Sequence, residues 1–219
     1  MRFRRAILLL LAALPLAALL YEVGAVLYAR AKTSEILERV SAREIRLSSV
    51  PPRRIRMLLA VEDPGFFRHR GIDFDTPGQG MTTMTQSLAK FLYFRRFTSG
   101  IDKPELMLVS RFALDPAVSK REQLEIFLNY ASFGTFRGRP VIGFAAAART
   151  FYGRDLSQVS DRQFLSLIAM LISPNSLDPL RHREANAERT DRIVAYLSGR
   201  CRPRGLRDVY YEDCAAVRR

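Results

Sequence analysis

The chain begins with a long apolar stretch and then settles into a helical alternation of apolar and polar positions. Residues 6–20 are almost wholly Leu, Ala and Ile, and after Tyr21 and Glu22 the apolar run resumes over 23–29. As a helix rising 1.5 Å per residue, residues 6–29 would span about 36 Å, enough to cross a hydrocarbon layer about 30 Å thick with some tilt. Pro15 would kink such a helix without forbidding it, and Glu22 would lie near the outer end, within reach of the headgroups. Arg2, Arg4 and Arg5 precede the run, so the positive-inside rule keeps them in the cytoplasm and sends everything after Arg30 across the membrane. The competing reading is a cleaved signal peptide with residues 6–20 as its apolar region. The Arg inside Ala29-Arg30-Ala31 makes that a poor cleavage site.

Residues 31–50 read as a polar, partly helical connector ended by Pro51-Pro52. Beyond it the spacing is helical nearly throughout. Ile55, Leu58 and Leu59 follow the i, i+3, i+4 template; Leu124, Phe127, Leu128 and Ala131 extend it to i+7, as do Phe144, Ala147, Ala148 and Phe151. Ser119 with Glu122 and Ser160 with Gln163 have the spacing of capping boxes. The dense apolar run 164–172 predicts a fully buried central helix stopped by Ser173-Pro174. The one strand signal is a short ribbon around residues 135–142. Together these features predict a mostly α domain on a membrane stalk.

Composition narrows this picture. The 219 residues suit one ordinary domain with an appendage, and 48% hydrophobic with 26% charged residues excludes collagen-like, mucin-like and wholly disordered chains. The net charge is +13, and of 35 basic residues only Lys32, Lys90, Lys103 and Lys120 are lysines. Such a charge suits an anionic partner: nucleic acid, a membrane face or a phosphate-bearing substrate. Much of it also fits ordinary solvated arginine surface. The basic residues are dispersed and the domain is expected outside the membrane, which argues against nucleic acid. Cys201 and Cys214 enclose a short polar loop, and an oxidising exterior would let them pair. With His69 and His182 the only histidines, no zinc-type ligand spacing exists.

Candidate chemistry gathers after the first soluble helix. Glu62 stands at i+7 from Ile55, on the apolar face of Leu58 and Leu59. A carboxylate there either pairs with a base or has its pKa raised by desolvation, which prepares a general acid or base. It opens the string Glu-Asp-Pro-Gly-Phe-Phe-Arg-His-Arg-Gly-Ile-Asp, which brings Asp63, Phe67, His69 and Asp73 around a glycine turn. Residues 79–90, Gln-Gly-Met-Thr-Thr-Met-Thr-Gln-Ser-Leu-Ala-Lys, are a glycine turn leading into a hydroxyl-rich helix start. Such a start can offer N–H groups and dipole to an anion, or can simply be an N-capped helix.

Residues 62–73 resemble the first motif of the peptidoglycan glycosyltransferases, family 51, and residues 79–90 resemble its second. Further matches follow in order: residues 120–129 (Lys-Arg-Glu-Gln-Leu-Glu-Ile-Phe-Leu-Asn), Phe133-Gly134, 143–153, the central helix with 174–179, and Arg189-x-x-x-Ile-Val. The similarity covers residues 51–198. It implies a mostly α, lysozyme-like glycosyltransferase domain behind one N-terminal transmembrane helix in a bacterial inner membrane, with the domain on the periplasmic side. The substrate would be lipid II, whose sugar 4-hydroxyl attacks the anomeric carbon of a lipid-linked chain with departure of polyprenyl diphosphate. By the same resemblance Glu62 would be the general base and Glu105 a second carboxylate. Asp63, Phe67, His69, Thr83, Gln86, Lys90 and Lys103 would bind substrate. No cofactor is required, though Mg2+ or Mn2+ could assist the leaving group. The nascent glycan, the membrane and a transpeptidase or other cell-wall synthesis protein would be the partners.

Two departures from the family pattern stand out. Its third motif, Arg-Lys-x-x-Glu, is matched only by Ile101-Asp102-Lys103-Pro104-Glu105, without the Arg and with Lys103 displaced. The stretch between Asp73 and Gly80 is short, where relatives build a mobile jaw near the membrane. The expected protein is therefore a monofunctional glycosyltransferase, with residues 199–219 as a basic tail. Its rivals are a non-catalytic homologue that binds lipid-linked precursor and a lysozyme-like glycan hydrolase.

Overall fold

A computed structural model describes the backbone of residues 2–217 and the side chains of residues 13–214. The expected cytoplasmic arginines Arg2, Arg4 and Arg5 lie outside the described side chains. Helix α1 runs Arg2–Arg39, through Pro15 and on into the expected connector. Its Ala13–Arg39 portion is long and apolar enough to cross a membrane. Leu14, Leu16, Leu19 and Leu20 all stay exposed, whereas Ala29, Ile36 and Val40 are buried against the domain. Thr33 belongs to this docking face: its Oγ1 donates to Ala29 O at 2.8 Å and lies 2.8 Å from the Tyr93 hydroxyl.

The rest of the connector is laced to one helix, α6 (Lys120–Tyr130). Arg43 reaches Glu122 at 2.8 Å and Glu125 at 3.2 Å, and Ile45 N and O are bonded by the Asn129 amide at 2.9 and 2.8 Å. These bonds account for Glu125 and Asn129 in the sequence motif at 120–129: both hold the connector. A single turn of 3-10 helix, Leu47–Ser49, then leads to α2 (Pro52–Glu62), whose first residue is a proline that needs no N–H there.

At the centre is α8 (Asp161–Met170), buried from Phe164 through Met170 as the apolar run predicts. Around it pack α2, α7 (Phe144–Tyr152) and α9 (Arg183–Leu197). Phe144 meets Phe133 edge-on at 4.9 Å and Phe164 at 5.4 Å, tying the hairpin to the core. That hairpin is the expected ribbon: β1 (Ser132–Phe136) antiparallel to β2 (Arg139–Ile142), with Phe136 opposite Arg139 and a bulge between Ser132 and Thr135. Its turn residues Arg137 and Gly138 both have positive φ, 50° and 77°, the mark of the tight turn whose twist suits a two-residue hairpin.

Helices α3 (Met84–Tyr93) and α4 (Lys103–Val109) complete the side facing α1. From α4 the chain continues as a π-helical turn, Ser110–Leu114, and α5, Asp115–Ala117. After α9 it folds back over the domain, closed by a Cys201–Cys214 disulfide and ending in a 3-10 helix at Glu212–Val217.

Candidate active site

Glu62 is the last residue of α2, on the side turned toward α9 and the returning C-terminal segment. Its carboxylate accepts no hydrogen bond from the described residues. Loss of water by burial pushes its pKa up to about 7; the Arg189 guanidinium pulls the other way and the Asp63 charge adds to the rise. Arg189 is itself buried, held by Nε to Ala169 O at 3.2 Å and Nη1 to Val209 O at 2.8 Å. The site thus pairs a carboxyl poised to exchange a proton near neutrality with one fixed counter-charge.

Asp63 has no exposed surface and is a brace. Its two oxygens face His69 Nε2 at 2.9 and 3.0 Å, and Oδ2 also accepts from Met84 N at 2.9 Å, the first turn of α3. Because His69 Nδ1 accepts from Gly71 N at 3.1 Å, its Nε2 carries the proton toward Asp63. Gly71 closes the turn with φ of 85°, and any Cβ there would meet the Ser110 carbonyl oxygen at 2.9 Å. The glycine turn seen in the sequence is therefore packed on the π-helical turn after α4.

Thr83 is the N-cap of α3: its Oγ1 accepts from Gln86 N at 3.1 Å and donates to Gly71 O at 2.8 Å. Gln86 is equally enclosed; its Nε2 points to Gly71 O at 3.4 Å, and its Oε1 accepts from Lys103 Nζ at 2.6 Å. Lys103 Nζ also donates to Met81 O at 2.8 Å and Thr82 Oγ1 at 3.0 Å, so the displaced lysine of the third motif braces the second. Burial lowers the Lys103 pKa and the charge of Lys90 adds to that. Asp63, Thr83 and Gln86, expected to bind substrate, are buried here and hydrogen-bonded to the loop whose shape they hold. Lys90 and Phe67 are exposed, Lys90 resting over the Phe97 ring at 5.6 Å.

Glu105 sits elsewhere. Its carboxylate accepts from the Tyr21 hydroxyl of α1 at 3.2 Å and lines a groove of about 820 Å³ between α1 and α3–α4. Tyr28, Phe91, Phe94, Lys32 and Arg95 line the same groove, and Glu62 does not.

Lys120, a motif residue given no role by spacing, joins the buried polar cluster: Nζ lies 2.7 Å from Asp115, 3.1 Å from Thr85 and 4.7 Å from the Phe66 ring centre. Nothing local marks Arg189 or Tyr211 as neighbours of Glu62; Arg189 was visible only within the closing motif.

Asp63, His69 and Asp73 bring ligand-type atoms within 4.8 Å of one another. As arranged they do not suit a cation. The His69 Nδ1 lone pair takes Gly71 N–H, Asp63 is spent on His69 and Met84, and Asp73 accepts from Thr76 Oγ1 at 2.7 Å and Asp75 N at 2.8 Å. Burial alone would raise the Asp73 pKa, but these bonds outweigh it and hold the carboxyl below its usual range.

Comparison with known proteins places this geometry. The family profile described as Transglycosylase matches residues 30–198. A biosynthetic peptidoglycan transglycosylase of Nitrosospira multiformis is 33% identical over 172 residues, 71% of this chain and 71% of that one. One from Herminiimonas arsenicoxydans is 29% identical over 76% of this chain and 78% of its own. Penicillin-binding protein 1A of Streptococcus oralis is 30% identical over 69% of this chain, but the match spans only 26% of that longer protein.

Proposed function

Because the chain belongs to the transglycosylase family, we propose that it is a membrane-anchored peptidoglycan glycosyltransferase that polymerises lipid II with release of polyprenyl diphosphate. The observation that carries this reading is Glu62: a desolvated carboxyl, raised to about 7, at the head of the motif-bearing turn.

In the reaction the acceptor sugar's 4-hydroxyl gives its proton to Glu62 as its oxygen bonds to the anomeric carbon of the lipid-linked chain. The bond from that carbon to the diphosphate breaks on the opposite face, inverting the centre, and the electron pair leaves on the diphosphate oxygen. A base with pKa near 7 is matched to a neutral medium, being about half ionised there while still basic enough to accept the proton. Lys90 supplies exposed positive charge for the departing diphosphate. Lys103, Gln86 and Thr83 keep the turn at 79–83 fixed. Asp63 and His69 tie that turn to α2, so the base and the start of α3 move as one body. Glu105 belongs to the seam between anchor and domain, and its part is to hold α1 against α4. No step is assigned to a divalent cation, because the cluster of ligand-type atoms found among the described residues is committed to internal bonds.

The substrate's prenyl chain cannot leave the bilayer, and α1 keeps the domain beside it. The aromatic and basic groove between α1 and α3–α4 suits a lipid-linked anion at the membrane surface. A single-pass arrangement with the domain outside the cytoplasmic membrane fits the Cys201–Cys214 bond, which needs an oxidising compartment. The nascent strand would pass to a transpeptidase or other cell-wall synthesis protein.

Labelled lipid II incubated with the detergent-solubilised full chain should give glycan polymer, and Glu62→Gln should lower the rate at least about 100-fold. Binding of lipid II without polymer by the unmodified chain would replace this reading with that of a precursor-binding subunit. Shortening of preformed glycan would replace it with a hydrolase.

A further inference from the structure

The family match ends at residue 198, yet the chain beyond it is built into the walls of the Glu62 site. Cys201 and Cys214 close this segment on itself. Gly205 O and Leu206 O accept from Gly78 N at 2.9 Å and Gly80 N at 2.8 Å, so its outward arm is bonded to the short loop that precedes the Thr83 cap. Its return arm reaches the base. Val209 O accepts from Arg189 Nη1 at 2.8 Å, and the Tyr210 and Tyr211 rings flank that guanidinium at 5.2 and 5.6 Å. Tyr211 is 1% exposed, stacks on Tyr196 at 4.8 Å and donates its hydroxyl to Val61 O at 3.1 Å, one residue before Glu62.

Tyr211 adopts φ of 53°, a left-handed backbone uncommon for a bulky side chain. Such a conformation persists where the surroundings over-determine it. Here the surroundings are Tyr211 N to Asp208 O at 3.4 Å on one side and Cys214 N to Tyr211 O at 2.9 Å on the other, the latter inside the disulfide-closed turn.

We propose that the disulfide-closed segment 201–214 is a positioning strap for the general base: it seats Tyr211 beneath the last turn of α2 and Val209 on Arg189, and so fixes both how far the half-buried Glu62 is withdrawn from water and the placement of its counter-charge. The proposal rests on the reading of Glu62 as the base. The strap touches no reacting atom in this account; Tyr211 and Val209 act through Glu62 and Arg189. The groups that act on Glu62 are Asp63 beside it, Arg189 from α9 and Tyr211 from the strap. Arg192 acts through Arg189, and Tyr196 and Asp208 act through Tyr211. Opening the strap exposes the half-buried carboxyl further to water, which stabilises its charged form.

The test is titration of the full chain in detergent micelles, with glutamate side-chain carboxyls labelled with 13C. The Glu62 signal is identified by its loss in Glu62→Gln. On reduction of the disulfide, or in the Cys201→Ser, Cys214→Ser double variant, the Glu62 midpoint should fall by about one unit or more. The acid limb of the polymerisation profile should move with it, kcat falling several-fold and KM staying fixed. Tyr211→Phe, which keeps the ring but not the Val61 bond, guards against loss of folding in the opened forms; it should shift the midpoint in the same direction and lower kcat with KM unchanged. Midpoints and profiles that coincide in the closed, opened and Tyr211→Phe proteins would overturn the strap. The two readings fail separately: polymer made by Glu62→Gln would remove the base assignment whatever the titration gives, and an inactive Glu62→Gln with an unmoved midpoint would remove only the strap.

Discussion

A glutamate at the C-terminal end of a helix would ordinarily sit in water. Glu62 is instead half-buried, and that has a cost in stability with a definite pH signature. Its folded pKa is about 7, against an ordinary value near 4.5, so between those values the folded chain holds the proton more tightly than the unfolded one. Stability from this group therefore falls as pH rises through that window, by at most about 3 kcal/mol. Glu62→Gln removes the penalty: in thermal unfolding its Tm should match the parent's near pH 4 and exceed it by several degrees at pH 8. A larger gap on the acid side would contradict the assignment. Glu62 was legible because a 3.6-residue spacing puts position i+7 on the apolar face already marked by Ile55, Leu58 and Leu59. Its tuning partners were not. Val61 and Tyr211 are 150 residues apart, and no local pattern encodes that pairing. The enclosure of Thr83 and Gln86 was hidden for a related reason: a hydroxyl-rich helix start reads alike whether its donors face a ligand or its own cap.

At the scale of elements, periodicity and cap residues carried most of the information. The two Ser-x-x-Glu/Gln patterns look equivalent in sequence but differ in the structure. Ser160 and Gln163 form the full reciprocal box at the start of α8, with bonds of 3.2 and 2.8 Å. At α6 only half forms: Ser119 accepts from Glu122 N at 3.3 Å while the Glu122 carboxylate turns to Arg43. A tertiary ion pair has taken the side chain that local chemistry would use. Ser160→Ala and Ser119→Ala should each cost about 1 kcal/mol in denaturant unfolding, since each removes the same bond from an N3 amide; a neutral effect at either would count against that cap. The connector at 31–50 is partly helical, as its pattern reads: α1 runs on to Arg39 because its buried face continues through Thr33 and Ile36. The π-helical turn at Ser110–Leu114 left no sequence signal, and it is what the Gly71 turn packs against.

Across the whole molecule, two parts meet at the Glu62 turn and α1 docks beside them. The anchor docks on α3 and α4, the helical body presents α2 and α9, and the strap closes from the far end of the sequence over residues 78–80. The overall helical class and an N-terminal helix long and apolar enough to span a membrane were readable from hydropathy alone. Residues 199–219 read as a basic tail with a pair of cysteines, and only the long-range bonds reveal its 201–214 part as a wall of the site. The +13 charge resolves in the same way. Many arginines serve internal purposes, such as Arg54 beneath Asp161 and Arg43 on α6, while Lys90 is exposed and Arg95 lines the groove beside α1. The central claim is that this convergence prepares Glu62 as a base near neutrality. It is tested most directly by the rate of lipid II polymerisation against pH for the oxidised full chain. The account predicts an acid limb with its midpoint near the value of about 7 given to Glu62. A midpoint close to that of an ordinary solvated glutamate, or an unchanged limb in Glu62→Gln, would contradict it.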